Sequence, residues 1–160
     1  MPTLDDVTTD CPSCGNYIET MSPMYRSRWL DEVSSYKPNP AALDMLKKLA
    51  EEYEIVVLFA DWCGDARRAV PALAVIEAEL GIRVRALGGM TKPGFGSGRY
   101  WAIPPSPIEV DIFDIRSSPT ILLFRKDTGE EIGRIKTRPK MTPTIEEEMV
   151  KVIEDYNVSS

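Results

Sequence analysis

The chain has 160 residues, 43% apolar and 28% charged, which suits one domain with a real hydrophobic core. Its 25 acidic residues outnumber 19 basic ones, and the net charge of −6 argues against a general affinity for nucleic acid or anionic membranes. Histidine is absent, which excludes Cys–His and Ser–His nucleophile pairs within one chain and removes the commonest metal ligand.

Residues 1–38 read as an extension ahead of a domain spanning 39–160. Cys11-Pro12-Ser13-Cys14-Gly15 has the composition of a tight turn. Ser22-Pro23, a serine cap followed by proline, predicts a helix to about Val33, and Pro38 and Pro40 break the chain after it. Asn39-Pro40 caps a second helix whose Leu43, Leu46, Leu49 and Ala50 recur three and four apart, as one buried face requires. Ile55 to Ala60 is a continuous, branch-rich run, the pattern of a strand buried on both faces. A third helix is predicted from Asp65 to Leu80, with Val70, Leu73, Ile76 and Leu80 inward and a kink at Pro71. Gly81 closes it, and Ile82 to Leu87 reads as the next strand. Strand, helix, strand in this order is a right-handed crossover between parallel neighbours.

Gly88 to Pro107 is different in kind. Five glycines and four prolines leave no period, so this is a long loop, of the length usually functional or mobile. It leaves the sheet on the side where Cys63 sits, and Phe95, Tyr100 and Trp101 either line a docking surface or cover the core. A helical turn is expected near Pro107 to Phe113. Thr120–Phe124 and Glu131–Lys136 form a β-hairpin around Lys126–Gly129. Thr142-Pro143 caps a last amphipathic helix with Ile145, Met149, Val152 and Ile153 inward, and Glu146–Glu148 suit its N-terminal dipole.

The chemistry has few places to be. Three cysteines, Cys11, Cys14 and Cys63, do not suggest a structural disulfide framework. Cys63 sits just past a buried strand at a helix start, where free N–H groups and the helix dipole favour a thiolate. Trp62 can shield one side of the sulfur. Arg67 and Arg68 add positive charge in the first turn, whereas Asp65 opposes them. The plainer reading of such a cysteine is a small buried hydrophobe.

Trp62-Cys63-Gly64-Asp65-Ala66, with Pro71 eight residues past the cysteine, and Ile115-Arg116-Ser117-Ser118-Pro119-Thr120 ahead of the hairpin together resemble the thioredoxin superfamily. The resemblance covers about two thirds of the chain. It implies a thioredoxin-like three-layer α/β/α sandwich with a central mixed sheet, here preceded by an N-terminal helical extension. It also implies a cis Pro119 beside the nucleophile Cys63, with Trp62, Gly64, Ser118, Pro119 and Thr120 contacting an extended substrate segment. The activity implied is thiol–disulfide exchange with a protein or small-molecule disulfide, with no cofactor because electrons pass between sulfurs.

Two departures bear on mechanism. Ala66 stands where the superfamily pattern has its resolving cysteine, so Cys63 can form a mixed disulfide but has no local thiol to release it. Ala66 is read as a natural monothiol arrangement, as a position served by a thiol from elsewhere, or as an engineered replacement. Val57 stands where thioredoxins keep a buried acid. Cys11 and Cys14 are open to three readings: a redox couple that resolves Cys63, reduced thiols without chemistry, or half of a zinc knuckle needing a dimer. No metal site is expected within one chain. The alternative function is a redox-silent binding module on the same fold; a peroxide-reducing monothiol is a third. No apolar run approaches a membrane span, and Met-Pro-Thr-Leu-Asp-Asp at the start lacks the features of a secretory signal, so a cytoplasmic location is expected. Partners are expected to be disulfides or thiols, without nucleic acid or membrane, and the oligomeric state is left open.

Overall fold

The computed structural model describes residues 1–159; Ser160, the last residue of the expected 39–160 domain, lies outside the described residues. In chain order these form a short 3₁₀ turn at Leu4–Asp6, α1 (Cys14–Thr20), α2 (Pro23–Ser35), α3 (Pro40–Leu49) and β1 (Tyr53–Leu58). Then come α4 (Gly64–Leu80), β2 (Arg85–Leu87), α5 (Glu109–Ile112), β3 (Thr120–Arg125), β4 (Glu131–Lys136) and α6 (Ile145–Ser159). The strands stand in the order β2-β1-β3-β4. β1 and β2 are parallel across the α4 crossover, and the other neighbours are antiparallel. This is the expected thioredoxin-like mixed sheet with helices on both faces.

The two helical layers are unequal. Ile55, Val57 and Phe59 face a large cluster built with α1, α2, α3, α4 and α6. The alternate residues Val56, Leu58 and Ala60 face a thinner cover of Val7, Met90, Trp101, Val110, Phe113 and Ile115, supplied by the N-terminal segment, the 88–107 loop and α5. Burial on both faces explains why β1 reads as an unbroken apolar run. Met21 and Trp29, from the first 38 residues, lie in the same cluster as α4.

Two local differences from the sequence reading have physical causes. The segment around Cys14 is helical: Ser13 accepts the N–H of Asn16 as an N-cap, and Cys14 and Ile18 form a buried i, i+4 pair. The strand expected from Ile82 starts only at Arg85, because the end of α4 takes up the preceding N–H groups. The N–H of Ile82 donates to the carbonyl of Glu77, and that of Val84 to the Glu77 carboxylate at 2.7 Å. The outer edge of β2 is covered as well, Ala86 donating to the carbonyl of Pro12, so no bare strand edge remains there. Helix α4 runs on through Pro71 and ends at Gly81, whose φ of 68° takes the left-handed cap that glycine adopts without penalty. Among the described residues no helix is long and apolar enough to cross a membrane.

Candidate functional site

Three features converge where β1 ends. The chain leaves the sheet after Leu58, and Cys63 becomes the N-cap of α4, with its carbonyl accepting from Arg67. Leu58 pairs with Thr120, so the start of β3 lies directly beside this turn. The bond from Ser118 to Pro119 is cis, and the carbonyl of Ser118 accepts from Cys63 Sγ at 3.3 Å. The hydroxyl of Ser118 accepts from the N–H of Ala60 at 2.9 Å, and Cys63 donates its own N–H to the Ala60 carbonyl. The thiol, the cysteine turn and the proline loop are thus tied by one short network. The far side of that loop is held too: Thr137, at a φ of 70°, donates its N–H to the Pro119 carbonyl at 2.7 Å.

Accessibility separates the expected contact residues. Trp62 is 48% exposed, with the Lys92 ammonium 5.5 Å from its ring centre, and Gly64 is open to solvent. Cys63 is half-buried. Pro119 and Thr120 are buried, Thr120 donating inward to the Ser117 carbonyl, which leaves the Ser118 stretch of backbone as the reachable part. Ala66, where a resolving thiol would stand, is fully buried one turn below Cys63.

Cys11 and Cys14 lie elsewhere. Glu77 accepts N–H groups from Cys14, Gly15 and Val84. It sits fourteen residues along α4 from Cys63, about 21 Å at a helical rise of roughly 1.5 Å per residue. The structure therefore does not bring either thiol of this pair to Cys63. Nor do the two share a setting: Cys14 packs in the cluster on one face of the sheet and Cys11 in that on the other, astride the β2 edge. Both are free thiols. Burial pushes the Cys14 thiol well up, and the Glu77 carboxylate and Cys11 add to it. Burial also raises Cys11, against the opposing pull of Arg83, which donates to the Cys11 carbonyl at 2.6 Å. Among the described residues no three Cys, Asp or Glu side chains are grouped to hold a metal ion.

Sequence reasoning missed the wall facing the thiol. Met24, Tyr25, Arg28 and Trp29 of α2 close a groove of about 270 Å³ with Asp61, Trp62, Cys63, Gly64 and Arg67. Phe59 anchors that wall, its ring 4.8 Å from that of Tyr17 and 5.8 Å from that of Trp29. Tyr17 reaches across to donate to Asp61 at 2.6 Å; burial first, then Asp61, pushes its phenol far up. Gly88 is required here, because a Cβ at that position would collide with the Tyr17 ring. The one sequence signal for this wall was the capped helix after Ser22 with Trp29 inside it. Of the loop aromatics, Trp101 is buried and donates to the Ile115 carbonyl, Tyr100 is half out and donates to that of Arg116, and Phe95 is fully exposed.

The parallel β1–α4–β2 crossover and the antiparallel hairpin make the fold thioredoxin-like. A family model described as Thioredoxin matches residues 11–88, just under half of the chain, and supports a place in the thioredoxin superfamily. Two solved structures share the fold across nearly their whole length. One is an HIV epitope-scaffold, at a TM-score of 0.63 and 14% identity, covering 95% of this chain and 96% of that one. The other is a protein of unknown function from Pseudomonas aeruginosa, at a TM-score of 0.60 and 14% identity, covering 99% of this chain and 96% of that one. No curated protein matches the chain.

Proposed function

We propose that this protein carries out monothiol–disulfide exchange through Cys63. The observation that carries the reading is the placement of a half-exposed cysteine at the start of α4, 3.3 Å from the Ser118 carbonyl and opening on a groove. In the exchange, the Cys63 thiolate attacks one sulfur of a disulfide. The S–S bond breaks, a mixed disulfide forms on Cys63, and the other sulfur leaves with the electron pair. With Ala66 sealed in the core and Cys14 held at Glu77, release falls to a thiol from outside the chain. The backbone at Ser118 is the docking strand, and Trp62 with Gly64 flanks the sulfur. Three free thiols fit a reducing compartment such as the cytoplasm.

Insulin reduction in the presence of dithiothreitol tests this. A rate above dithiothreitol alone that disappears in Cys63→Ser is the expected result. No acceleration by the wild-type chain would favour the second reading, a binding module that keeps the groove and has lost turnover. The burial of Ala66, which removes the usual second thiol, is the observation behind that alternative.

A further inference from the structure

Resting on the exchange reading, we infer that the groove beside Cys63 selects a low-molecular-weight disulfide or thiol that carries carboxylates, with Arg28 of α2 and Arg67 of α4 as its anion-binding pair. The charge pattern runs against the rest of the molecule. The chain as a whole is acidic at −6, yet the groove is lined by two arginines and one acid. That acid, Asp61, accepts from the Tyr17 hydroxyl at Oδ1, at 2.6 Å, and with its charge counted the two arginines still leave the lining net positive. Neither Arg28 nor Arg67 has a carboxylate partner among the described residues; Arg26, Arg68 and Arg83 have none either, and what sets Arg28 and Arg67 apart is that both line the groove that holds Cys63. A third cation, Lys92, stands over the Trp62 ring at the rim. The nearest other acid on the helix start, Asp65, faces Arg138 at 3.6 Å. An arginine presents a planar donor fork that fits a carboxylate, and two of them on different helices can hold a carboxylate while the sulfur lies at Cys63.

Size narrows the class. A groove of about 270 Å³ is at the small end for ligand pockets, fitting a short acidic thiol better than a folded domain. The chemistry then closes without a second cysteine. The Cys63 thiolate attacks the acidic half of a mixed disulfide X–S–S–R, where R carries the carboxylates; the S–S bond breaks, Cys63–S–S–R forms and X leaves as its thiolate. A second R thiolate attacks Cys63–S–S–R, restoring the Cys63 thiolate and releasing R–S–S–R, so X is reduced and two R thiols are oxidised.

The test compares the rates at which the full chain forms mixed disulfides with three probes: dithiodiglycolate, a dianion; hydroxyethyl disulfide, neutral; and cystamine, a dication. Each rate is normalised to the same probe's rate with mercaptoethanol, which removes intrinsic reactivity. The expected result is a normalised preference for dithiodiglycolate over cystamine of roughly tenfold or more at low ionic strength, shrinking as salt is added. Arg28→Ala, on a helix separate from the cysteine, should cut the anionic-to-neutral ratio by roughly threefold to tenfold, with Arg28→Lys keeping part of it. Arg67→Ala should lower the same ratio. Equal normalised rates for the three probes, or a ratio unmoved by both arginine variants, would overturn the inference and leave exchange at Cys63 standing. No mixed disulfide with any probe would overturn the exchange reading itself.

Discussion

Cys63 and the Cys11–Cys14 pair carry the same chemical group in opposite settings. Cys63 stands where a central strand gives way to a helix, half-open, with its sulfur on a carbonyl and a groove in front of it. Cys11 and Cys14 are buried astride the edge strand, and burial raises both thiols. Judged by spacing alone, the pair is the better redox motif, because two cysteines separated by two residues is the familiar dithiol. Position in the sheet reverses that ranking. A thiol becomes a candidate nucleophile where the backbone leaves N–H groups free and solvent can reach it, and becomes packing where the sheet edge closes over it.

The sharpest way to break this contrast is to exchange the consequences of mutation. Cys63→Ala should abolish insulin reduction while leaving the denaturation midpoint within about 0.5 kcal/mol of wild type. Cys14→Ala should do the reverse, keeping the exchange rate and costing on the order of 1 kcal/mol in urea denaturation, because a filled core site is emptied. A second change sharpens it further. Ala66 lies three residues past Cys63 on the same helix, so Ala66→Cys should restore a local resolving thiol and raise turnover by roughly tenfold. Peptide mapping of the oxidised variant should show a bridge from Cys63 to the introduced thiol.

The pH dependence of stability separates the regions by sign. The Glu77 carboxyl beside Cys14 is held above its ordinary 4.5, chiefly by burial, with the N–H groups of Val84, Gly15 and Cys14 working against the rise. A raised carboxyl holds its proton more tightly folded than unfolded. Its contribution is therefore fully present below about 4.5 and is lost as pH rises through the folded value. Glu148 runs the other way. Burial alone would raise it, but N–H groups of Lys140, Met141 and Thr142 and the Thr142 hydroxyl outweigh burial and hold it below 4.5. Its contribution is present above about 4.5 and lost as pH falls through the folded value. Urea denaturation across pH should show Glu77→Gln gaining on wild type as pH rises from about 4.5, and Glu148→Gln gaining on wild type as pH falls below it. The smallest expected effect is at Thr137, a branched residue at a φ of 70°. Thr137→Gly should raise stability by about 1 kcal/mol in the same assay, since glycine adopts that conformation without steric cost.

Most of the frame was legible because it rests on local patterns. Continuous branched residues marked β1, three-and-four spacing marked α3 and α4, and Cys63 with Pro119 marked the two loops that meet. The sulfur–carbonyl contact between them depends on the antiparallel β1–β3 register, which the strand patterns alone did not give. What was not legible needed three dimensions. The α2 wall of the groove is read from a helix with a weak apolar face, and its Arg28 looks like any surface arginine in sequence. For the Cys11–Cys14 pair the spacing is visible in sequence, but the packing of the two residues into clusters on opposite faces of the sheet is not. Glu77 was likewise invisible as a buried acid, because it lies in a helix of ordinary composition and is aimed inward only by the N–H groups that meet it.

The central claim is that exchange belongs to Cys63 alone. Its most direct test is to incubate the reduced native chain with excess hydroxyethyl disulfide and map every sulfur by mass spectrometry over time. The account predicts one mixed disulfide, on Cys63, with Cys11 and Cys14 unmodified until urea opens the fold. Early modification of Cys11 or Cys14, or an internal bridge from either of them to Cys63, would contradict it.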